Sequence, residues 1–201
     1  MLTHFRPAIV LIVVFTILLG AIYPFAITGV AAVVVPSWAG GSMITHKGAV
    51  VGSALIGQVF TADKYFRGRP SATNTPDPKD ATKTIDAPYN AANSSGSNFG
   101  PTSQPLVDRV KADIDTLRKQ GIAGPIPADA VTASGSGLDP DISPDYALLQ
   151  VPRVAKARNL PEDKVRALVL AQSSGRFLGF IGEPRVNVLE LNLALDGLPT
   201  S

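Results

Sequence analysis

Apolar residues run without a break by charge from residue 8 to residue 30, and no Asp, Glu, Lys, Arg or His lies between Pro7 and Thr45. A helix of about 20 apolar residues can cross a hydrocarbon core of about 30 Å. A signal peptide is the alternative, but its apolar region spans only about 7–15 residues before a small-residue cleavage site. The pattern therefore predicts a transmembrane anchor over residues 8–30 and a linker over residues 31–48.

Positive charge around the anchor predicts its orientation. His4 and Arg6 precede the span, and Lys47 is the first cation after it. By the positive-inside rule, residues 1–7 are cytoplasmic and the remainder is extracytoplasmic. Trp38, in the linker, is a residue type typical of the membrane interface.

Beyond the linker, short strand-like and helix-like patterns alternate. Residues 49–60 are rich in Val and Ile and predict one or two strands, whereas residues 71–104 form a long loop rich in Asn, Ser, Thr and Pro. Such a loop is either functional or poorly ordered. Leucines alternate with other residues near the end, which predicts a half-buried strand over residues 185–195.

Helical spacing predicts three helices between the long loop and this last strand. The first covers residues 105–120, with Ser103 as its cap and Gly121 as its end; the second covers residues 144–157; the third starts near Pro161. The fold expected is a single N-terminal transmembrane helix plus one mixed α/β extracytoplasmic domain over residues 49–201.

Composition narrows the function classes. The chain has 18 Lys and Arg against 16 Asp and Glu, with a net charge of +2 and no basic cluster, which argues against nucleic-acid binding. It has no Cys, which excludes disulfides, thiol catalysis and thiolate metal sites.

The Ser- and Gly-rich stretch over residues 131–144 is the main candidate for chemistry. Ser134 and Ser136 lack the G-x-S-x-G pattern of a nucleophile elbow, and His46 is the one histidine beyond the anchor. A membrane-anchored exported hydrolase using Ser134 or Ser136 with His46 remains one hypothesis. A membrane-anchored ligand-binding module is another.

Asp139, Asp141, Ser143 and Asp145 alternate like the start of an EF-hand loop, but Gly and Glu are absent where that loop needs them. A helix start explains the stretch better, with Ser143 as cap, Pro144 as first residue and Asp145 in the first turn. No metal site is predicted.

Two arginine-containing segments invite a similar comparison. The segment over residues 65–72, here called the arginine motif, could bind anionic lipid or a partner's carboxylate, or could carry ordinary surface charge. Glu183 and Arg185 are expected to pair and fix a turn rather than to catalyse.

Seven motifs follow one another along the chain: GSMI, VGSALIGQ, YFRGRPSA, YNAANSSGSNFGP, VTASGSGLDPDISP, QVPRVAKARNL and GFIGEPRVNVLELNLALD. This ordered series resembles the KdpC family, the C subunits of bacterial Kdp potassium-transporting P-type ATPases. The resemblance covers nearly the whole chain, and the order of the motifs makes it specific.

The resemblance implies a non-catalytic, single-pass accessory subunit in the bacterial inner (plasma) membrane. Its partners would be the channel-like KdpA subunit, the ATPase subunit KdpB and the small KdpF subunit, besides the lipid bilayer. The complex uses ATP, Mg and K⁺, while the C subunit supports assembly and activity and binds no cofactor of its own. The partner contacts expected on this basis are Tyr65, Phe66, Arg67, Arg69, Asn90 and Asn98.

A family-level proposal also makes the C subunit a catalytic chaperone that raises the ATP affinity of the ATPase subunit. Gln58, in the LIGQ sequence, would then contact the nucleotide. The predicted orientation places Gln58 outside, away from cytoplasmic ATP. We therefore favour a strand residue hydrogen-bonded within the domain.

Overall fold

The computed structural model describes residues 2–198, and the chain divides into two compact units, Met1–Val51 and Gly52–Ser201. The elements of the first unit are a 3₁₀ turn (Leu2–His4), α1 (Phe5–Ile17), a π-helical turn (Leu18–Ile22), α2 (Tyr23–Val34), the short α3 (Pro36–Ala39), β1 (Met43–His46) and β2 (Ala49–Ser53). The last two residues of β2 belong to the second unit. β1 and β2 pair as a two-stranded sheet. β1 lies inside the predicted linker, and β2 is the only strand in residues 49–60, since the pattern is interrupted after Ser53.

The apolar helix is continuous from Phe5 to Val34, which is 30 residues and enough by length and composition to cross a membrane. None of its most apolar window is buried by the chain itself. Side chains such as Phe25 and Val33 are mostly exposed, as expected of a surface that faces lipid rather than a protein core. The single apolar helix expected from the sequence is confirmed.

A π-helical turn lets this helix continue past Pro24. Proline lacks an N–H, and its ring clashes with the carbonyl four residues earlier, which is Gly20. In the turn Leu18–Ile22 the Tyr23 N–H donates to the carbonyl of Leu18, five residues back. The wider turn relieves this crowding within the chain, so no neighbouring helix is needed to accommodate the proline.

Up to residue 198, the second unit mixes short strands with four α-helices, which confirms the α/β prediction. Its elements are β3 (Asn74–Asp77), β4 (Asp80–Asp86), α4 (Gln104–Lys119), a 3₁₀ turn (Ala128–Ala130), β5 (Asp141–Ile142), α5 (Pro144–Arg158), α6 (Glu162–Ala171), β6 (Ser173–Ser174), β7 (Arg185–Asn187) and α7 (Val188–Asp196). β3 and β4 form an antiparallel hairpin, and β7 lies between β5 and β6 in an antiparallel sheet.

The core lies where α5, α6 and α7 meet. Each helix contributes apolar residues at spacings of three or four, which places them on one face. The largest of their fully buried apolar side chains are Val151, Val154, Val165, Val169, Leu191 and Leu195. The three helices predicted between the long loop and the chain's end are confirmed, although Ser103, at the start of α4, makes no side-chain capping bond.

The predicted strand over residues 185–195 is wrong beyond Asn187. The chain turns into α7 there, and the Asn187 side chain accepts a hydrogen bond from the Glu190 N–H at 3.1 Å. Asn at the cap with Glu three residues later is a helix-start signature. Burial of Val188, Leu191 and Leu195 follows the helical period, whereas the leucine alternation suggested a strand.

The long loop over residues 71–104 contains the hairpin β3–β4. Asn74 pairs with Asp86 and Thr75 with Ile85, and the Lys79 N–H is held by Asp77 Oδ1 at 2.8 Å in the turn. The sequence pattern did not predict this hairpin, because its strands contain Pro and Asp and both residue types are depleted in strands.

Candidate functional site

The arginine motif is an extended segment held by side-chain amides from two helices. Asn192 of α7 accepts from the Phe66 N–H at 2.8 Å and donates to the Phe66 carbonyl at 3.0 Å. Both residues are almost completely buried. The carboxamide thus pairs with the backbone of one residue, as a neighbouring strand would, and satisfies two polar groups in the core.

Gln150 of α5 repeats this arrangement one residue later. Its Oε1 accepts from the Arg67 N–H at 2.8 Å, and its Nε2 donates to the Arg67 carbonyl at 3.0 Å. Arg153 Nη2 donates to the same Oε1 at 2.7 Å and fixes the orientation of the amide. The backbones of two consecutive motif residues, Phe66 and Arg67, are therefore held by side chains of α7 and α5.

Two arginines on α5 hold the approach to the motif. Arg153 Nη1 donates to the carbonyls of Asp63 and Tyr65, and Arg158 Nε donates to the carbonyl of Lys64 at 2.7 Å. The Arg158 guanidinium lies 5.0 Å from the centre of the Tyr65 ring, within cation–π range. Burial, together with the nearby positive charge of Arg67, lowers the pKa of Arg153.

The second half of the motif is tied to the loop over residues 131–144. Arg69 Nη1 pairs with Asp139 Oδ2 at 2.8 Å, and the Arg69 carbonyl accepts from the Tyr89 hydroxyl at 2.7 Å. The Tyr89 ring packs where a Cβ on Gly57 or Gly68 would collide with it. Glycine at these two positions leaves room for the ring.

Ser71 and Thr73 join the arginine motif to two other segments. These two residues, with Ala87, Tyr89, Asn90 and Gly137, are here called the loop cluster. Ser71 Oγ donates to the Gly137 carbonyl at 2.8 Å and accepts from the Tyr89 N–H at 3.0 Å. Thr73 Oγ1 donates to the Ala87 carbonyl at 2.6 Å and accepts from the Asn90 N–H at 3.0 Å. Hydrogen bonds thus join the arginine motif to the long loop over residues 71–104 and to residues 131–144.

Alkaline pH is expected to destabilise the domain through Tyr89. Burial, reinforced by the charge of Asp139, raises the pKa of Tyr89 from 10.0 to about 12. Because the folded-state pKa is the higher one, the neutral ring contributes stability that is complete below pH 10 and is lost as the pH rises through 12. The Tyr89→Phe variant lacks this contribution, so its thermal unfolding midpoint should fall less steeply between pH 10 and pH 12 than that of the parent chain.

Thermal unfolding followed from about pH 8 upward checks this expectation. Some slope should remain, because burial also raises the pKa of Tyr146. Parallel curves for Tyr89→Phe and the parent chain would contradict it.

The six predicted contact residues differ in what they expose. Phe66 is completely buried and supports the motif from inside, whereas the side chains of Arg67 and Arg69 are 31% and 25% exposed. Tyr65 and Asn90 are half-buried, and Asn98 is exposed. Their role as partner contacts stays a prediction. Tyr65, Phe66 and Arg67 are held by side chains of α5 and α7, whereas Arg69 bonds to Asp139 and Asn90 bonds to Thr73 of the loop cluster.

The expectation that Gln58 is a strand residue is wrong, because β2 ends at Ser53. Gln58 is half-buried, and its amide packs over Gly52, where a Cβ would overlap it. Beside it the Gly57 N–H donates to the Leu138 carbonyl at 2.8 Å, and the Ile56 N–H donates to the Ser53 carbonyl at 3.4 Å. Phosphate cradles offer several unused backbone N–H groups to the anion. The two amides preceding Gln58 do not fit such a cradle.

The serines considered for hydrolysis sit in dissimilar surroundings. Ser134 is buried, and its Oγ has no hydrogen-bond partner among residues 2–198. Ser136 is exposed, and its Oγ accepts from the Leu138 N–H at 3.1 Å. A serine nucleophile needs a base within hydrogen-bond reach, and for neither serine do the described residues provide one.

Two carboxylates of the stretch that resembles the start of an EF-hand loop form ion pairs with arginines. Asp139 pairs with Arg69, and Asp141 pairs with Arg185 at 3.1 Å. Ser143 caps α5 by accepting from the Tyr146 N–H at 3.0 Å, with Pro144 as the first helical residue and Asp145 in the first turn. The helix-start interpretation is confirmed.

The expected pair of Glu183 with Arg185 is wrong in its partners. Glu183 pairs with Arg176 at 2.7 Å, and Arg185 reaches Asp141 across the β5–β7 ladder. In this ladder Asp141 lies opposite Asn187. Arg185, two residues from Asn187 on the same strand, shares its face of the sheet and is a diagonal neighbour of Asp141.

Residues that sequence reasoning missed are the ones that hold the motif: Tyr89, Gln150, Arg153, Arg158 and Asn192. Two of the five carried a signal in the sequence: Asn192 is flanked by Leu on both sides in α7, and Gln150 lies just before Val151 in α5. A polar residue at a core position of a helix requires a buried partner.

Fold and site together define a class of protein. Within residues 2–198, one apolar helix able to span a membrane is joined to one α/β domain, in which helix side chains hold the backbone of the arginine motif. The family model described as "KdpC: K+-transporting ATPase, c chain" matches residues 5–197. The chain belongs to the KdpC family.

Relatives of high identity agree with this family. Potassium-transporting ATPase KdpC subunits of Methylobacterium nodulans and Rhodopseudomonas palustris are each 63% identical to the chain, and that of Bradyrhizobium diazoefficiens is 61% identical. Each alignment covers 98% of this chain and 98% of the relative.

Proposed function

We propose that this chain is the non-catalytic, membrane-anchored subunit of a potassium-transporting ATPase, and that its α/β domain stabilises the assembled pump from the extracytoplasmic side. The observation that carries the proposal is the family match over residues 5–197. The relatives are named as KdpC subunits of potassium-transporting ATPases, and their alignments cover almost the whole of each chain.

The geometry of the loop cluster supports a binding role. Its hydrogen bonds are internal and dense, so the surface is ordered before any partner arrives. Preorganisation lowers the entropy lost on association. Partly exposed Arg67 and Arg69 and exposed Asn98 offer polar contacts at its edge.

The partners we propose are the channel-like KdpA, the ATPase subunit KdpB and the small KdpF, in a complex that uses ATP, Mg and K⁺. The anchor supplies one contact region within the bilayer and the loop cluster a second one outside it. In this arrangement the chain supports ATP-driven uptake without holding the nucleotide. The backbone amides used internally beside Gln58 favour this version over direct contact with ATP.

The side of the membrane that Gln58 occupies is the first measurement for this proposal. The chain contains no Cys, so Gln58→Cys introduces a single thiol. Within the assembled complex in intact cells, a membrane-impermeant thiol reagent should label position 58 from outside. Detergent-opened cells give the maximum labelling and correct for partial burial of this residue.

Labelling only after the membrane is opened would reverse the proposed orientation and return Gln58 to the side of cytoplasmic ATP. As a matched control, Ser136→Cys places a thiol on an exposed residue of the same unit. Both thiols should report the same side of the membrane.

A further inference from the structure

A tight hairpin tip between β6 and β7 carries a cluster of exposed apolar side chains. Phe177 and Ile181 exchange backbone hydrogen bonds in both directions, each 2.9 Å long. The tip, defined here as residues 177–181, presents four large apolar side chains with exposed fractions of 50–72%. They are Phe177, Leu178, Phe180 and Ile181.

The tip is held in one shape. Leu178 has a φ of +52°, a left-handed conformation that is uncommon for residues other than Gly, Asn and Asp, and Gly179 follows with a φ of +82°. At its base Arg176 pairs with Glu183 at 2.7 Å. The ends of the hairpin continue into β6 and β7, and β7 leads directly into the core helix α7.

Exposure of these four apolar side chains to water carries an unfavourable hydration free energy. Contiguous exposed apolar side chains mark interaction sites in soluble domains, whereas scattered ones do not. The hydrophobic core cluster of the second unit contains none of these four side chains. An ordered tip with two phenylalanines has the composition of an interface anchor.

We propose that the apolar tip inserts into an apolar depression on another protein subunit of the transport complex. This inference rests on the proposed function, because it names a contact surface for the same assembly. It adds to that function a docking site that is separate from the loop cluster and is apolar, whereas the contacts proposed for the loop cluster are polar.

Charge favours a protein surface over the bilayer as the occupant. Segments that bind membrane surfaces combine apolar residues with unpaired Lys or Arg, which are attracted to anionic lipid. Here Arg176 is neutralised by Glu183 and Arg185 by Asp141, and no Lys follows Lys164.

The aromatic type points the same way. Membrane interfaces favour Trp and Tyr, whose polar groups stay in water, but the tip contains only Phe. Phenylalanine has no polar atom to leave unsatisfied in a dry protein pocket.

Photocrosslinking in the complete complex tests the proposal. Phe180 is replaced by p-benzoylphenylalanine in the full chain, in native membranes that contain the other ATPase subunits. The matched control carries the same group at Val107, a 37% exposed position on α4. Irradiation should join position 180 to another subunit, with about tenfold more adduct than position 107, because hot-spot contacts are local.

Adducts of position 180 with lipid alone, or a yield equal to that of position 107, would overturn the proposal. The proposed function is judged separately, by whether the unmodified chain co-isolates with the ATPase subunits from the same membranes. Co-isolation with a negative crosslink sinks only the docking site, whereas absence of co-isolation sinks the proposed function.

A paired variant gives an independent readout. Phe177→Ser combined with Phe180→Ser should leave the unfolding of the chain unchanged, since both side chains are exposed, while potassium-stimulated ATPase activity of the complex falls about tenfold. Val107→Ser is the control that should change neither. Full activity in the double variant would count against the docking site.

Discussion

Asn192→Ala should destabilise the second unit by about 3 kcal/mol, a large part of the 5–15 kcal/mol typical of a whole domain. The change removes the only donor and acceptor that the structure gives, among residues 2–198, to the Phe66 backbone. Phe66 is fully buried, so water cannot replace the lost amide without opening the core. Each unpaired group then costs about 1–3 kcal/mol.

The measurement is urea unfolding of the detergent-solubilised chain, followed by circular dichroism. Asn93→Ala is the matched control, because Asn93 is exposed and its amide donates to Asn74; its cost should stay below about 1 kcal/mol. Asn192→Asp separates the two bonds, since a carboxylate can accept from the Phe66 N–H but cannot donate to its carbonyl. Equal stabilities for Asn192→Ala and Asn93→Ala would contradict the role given to this amide.

This amide also links stability to the proposed surface. Loss of the Phe66 anchor frees the arginine motif at its first buried residue, while Gln150 still holds Arg67. Partner binding should therefore weaken in Asn192→Ala even at temperatures where the domain stays folded.

Gly137→Ala should cost about 3 kcal/mol, because two independent penalties coincide at this residue. Its φ of +68° is left-handed, which strains any residue with a Cβ. The added Cβ would also overlap Thr73 Cγ2 and lie 2.6 Å from the Ser95 carbonyl oxygen. The clash falls at the centre of the loop cluster, where the three segments meet.

Gly135→Ala is the matched control two residues away. A Cβ there meets no atom within 4 Å, and its φ is not left-handed, so stability should stay within about 0.5 kcal/mol or rise slightly. Both variants are compared by thermal unfolding of the same detergent-solubilised chain. A Gly137→Ala midpoint no lower than that of Gly135→Ala would show that the loop cluster is free to relax.

Local signals in the sequence were sufficient where one interaction within a short segment decides the structure. The start of α5 is an example, since the cap at Ser143, the proline at its first position and Asp145 all act within one turn. The apolar helix is another, because its length and lack of charge depend on no other part of the chain.

Prediction failed where a local pattern had two solutions. Leucine at alternate positions from residue 189 to residue 195 fits a strand, yet Leu191 and Leu195 also lie one helical turn apart. Tertiary packing decides for the helix, since Val188, Leu191 and Leu195 all lie in the core cluster and α7 packs against α6. A period of two and a period near four cannot be separated in nine residues without their neighbours.

The sequence by itself determined the membrane-spanning helix, the mixed α/β class and the family, because length, hydrophobic period and motif order are properties of the chain alone. Only the tertiary structure decided that Asn192 and Gln150 grip the arginine motif from 126 and 83 residues away. It also brought Ser71, Tyr89 and Gly137 together and left the tip uncovered. Contacts of such separation arise from how the helices pack, which no local spacing encodes.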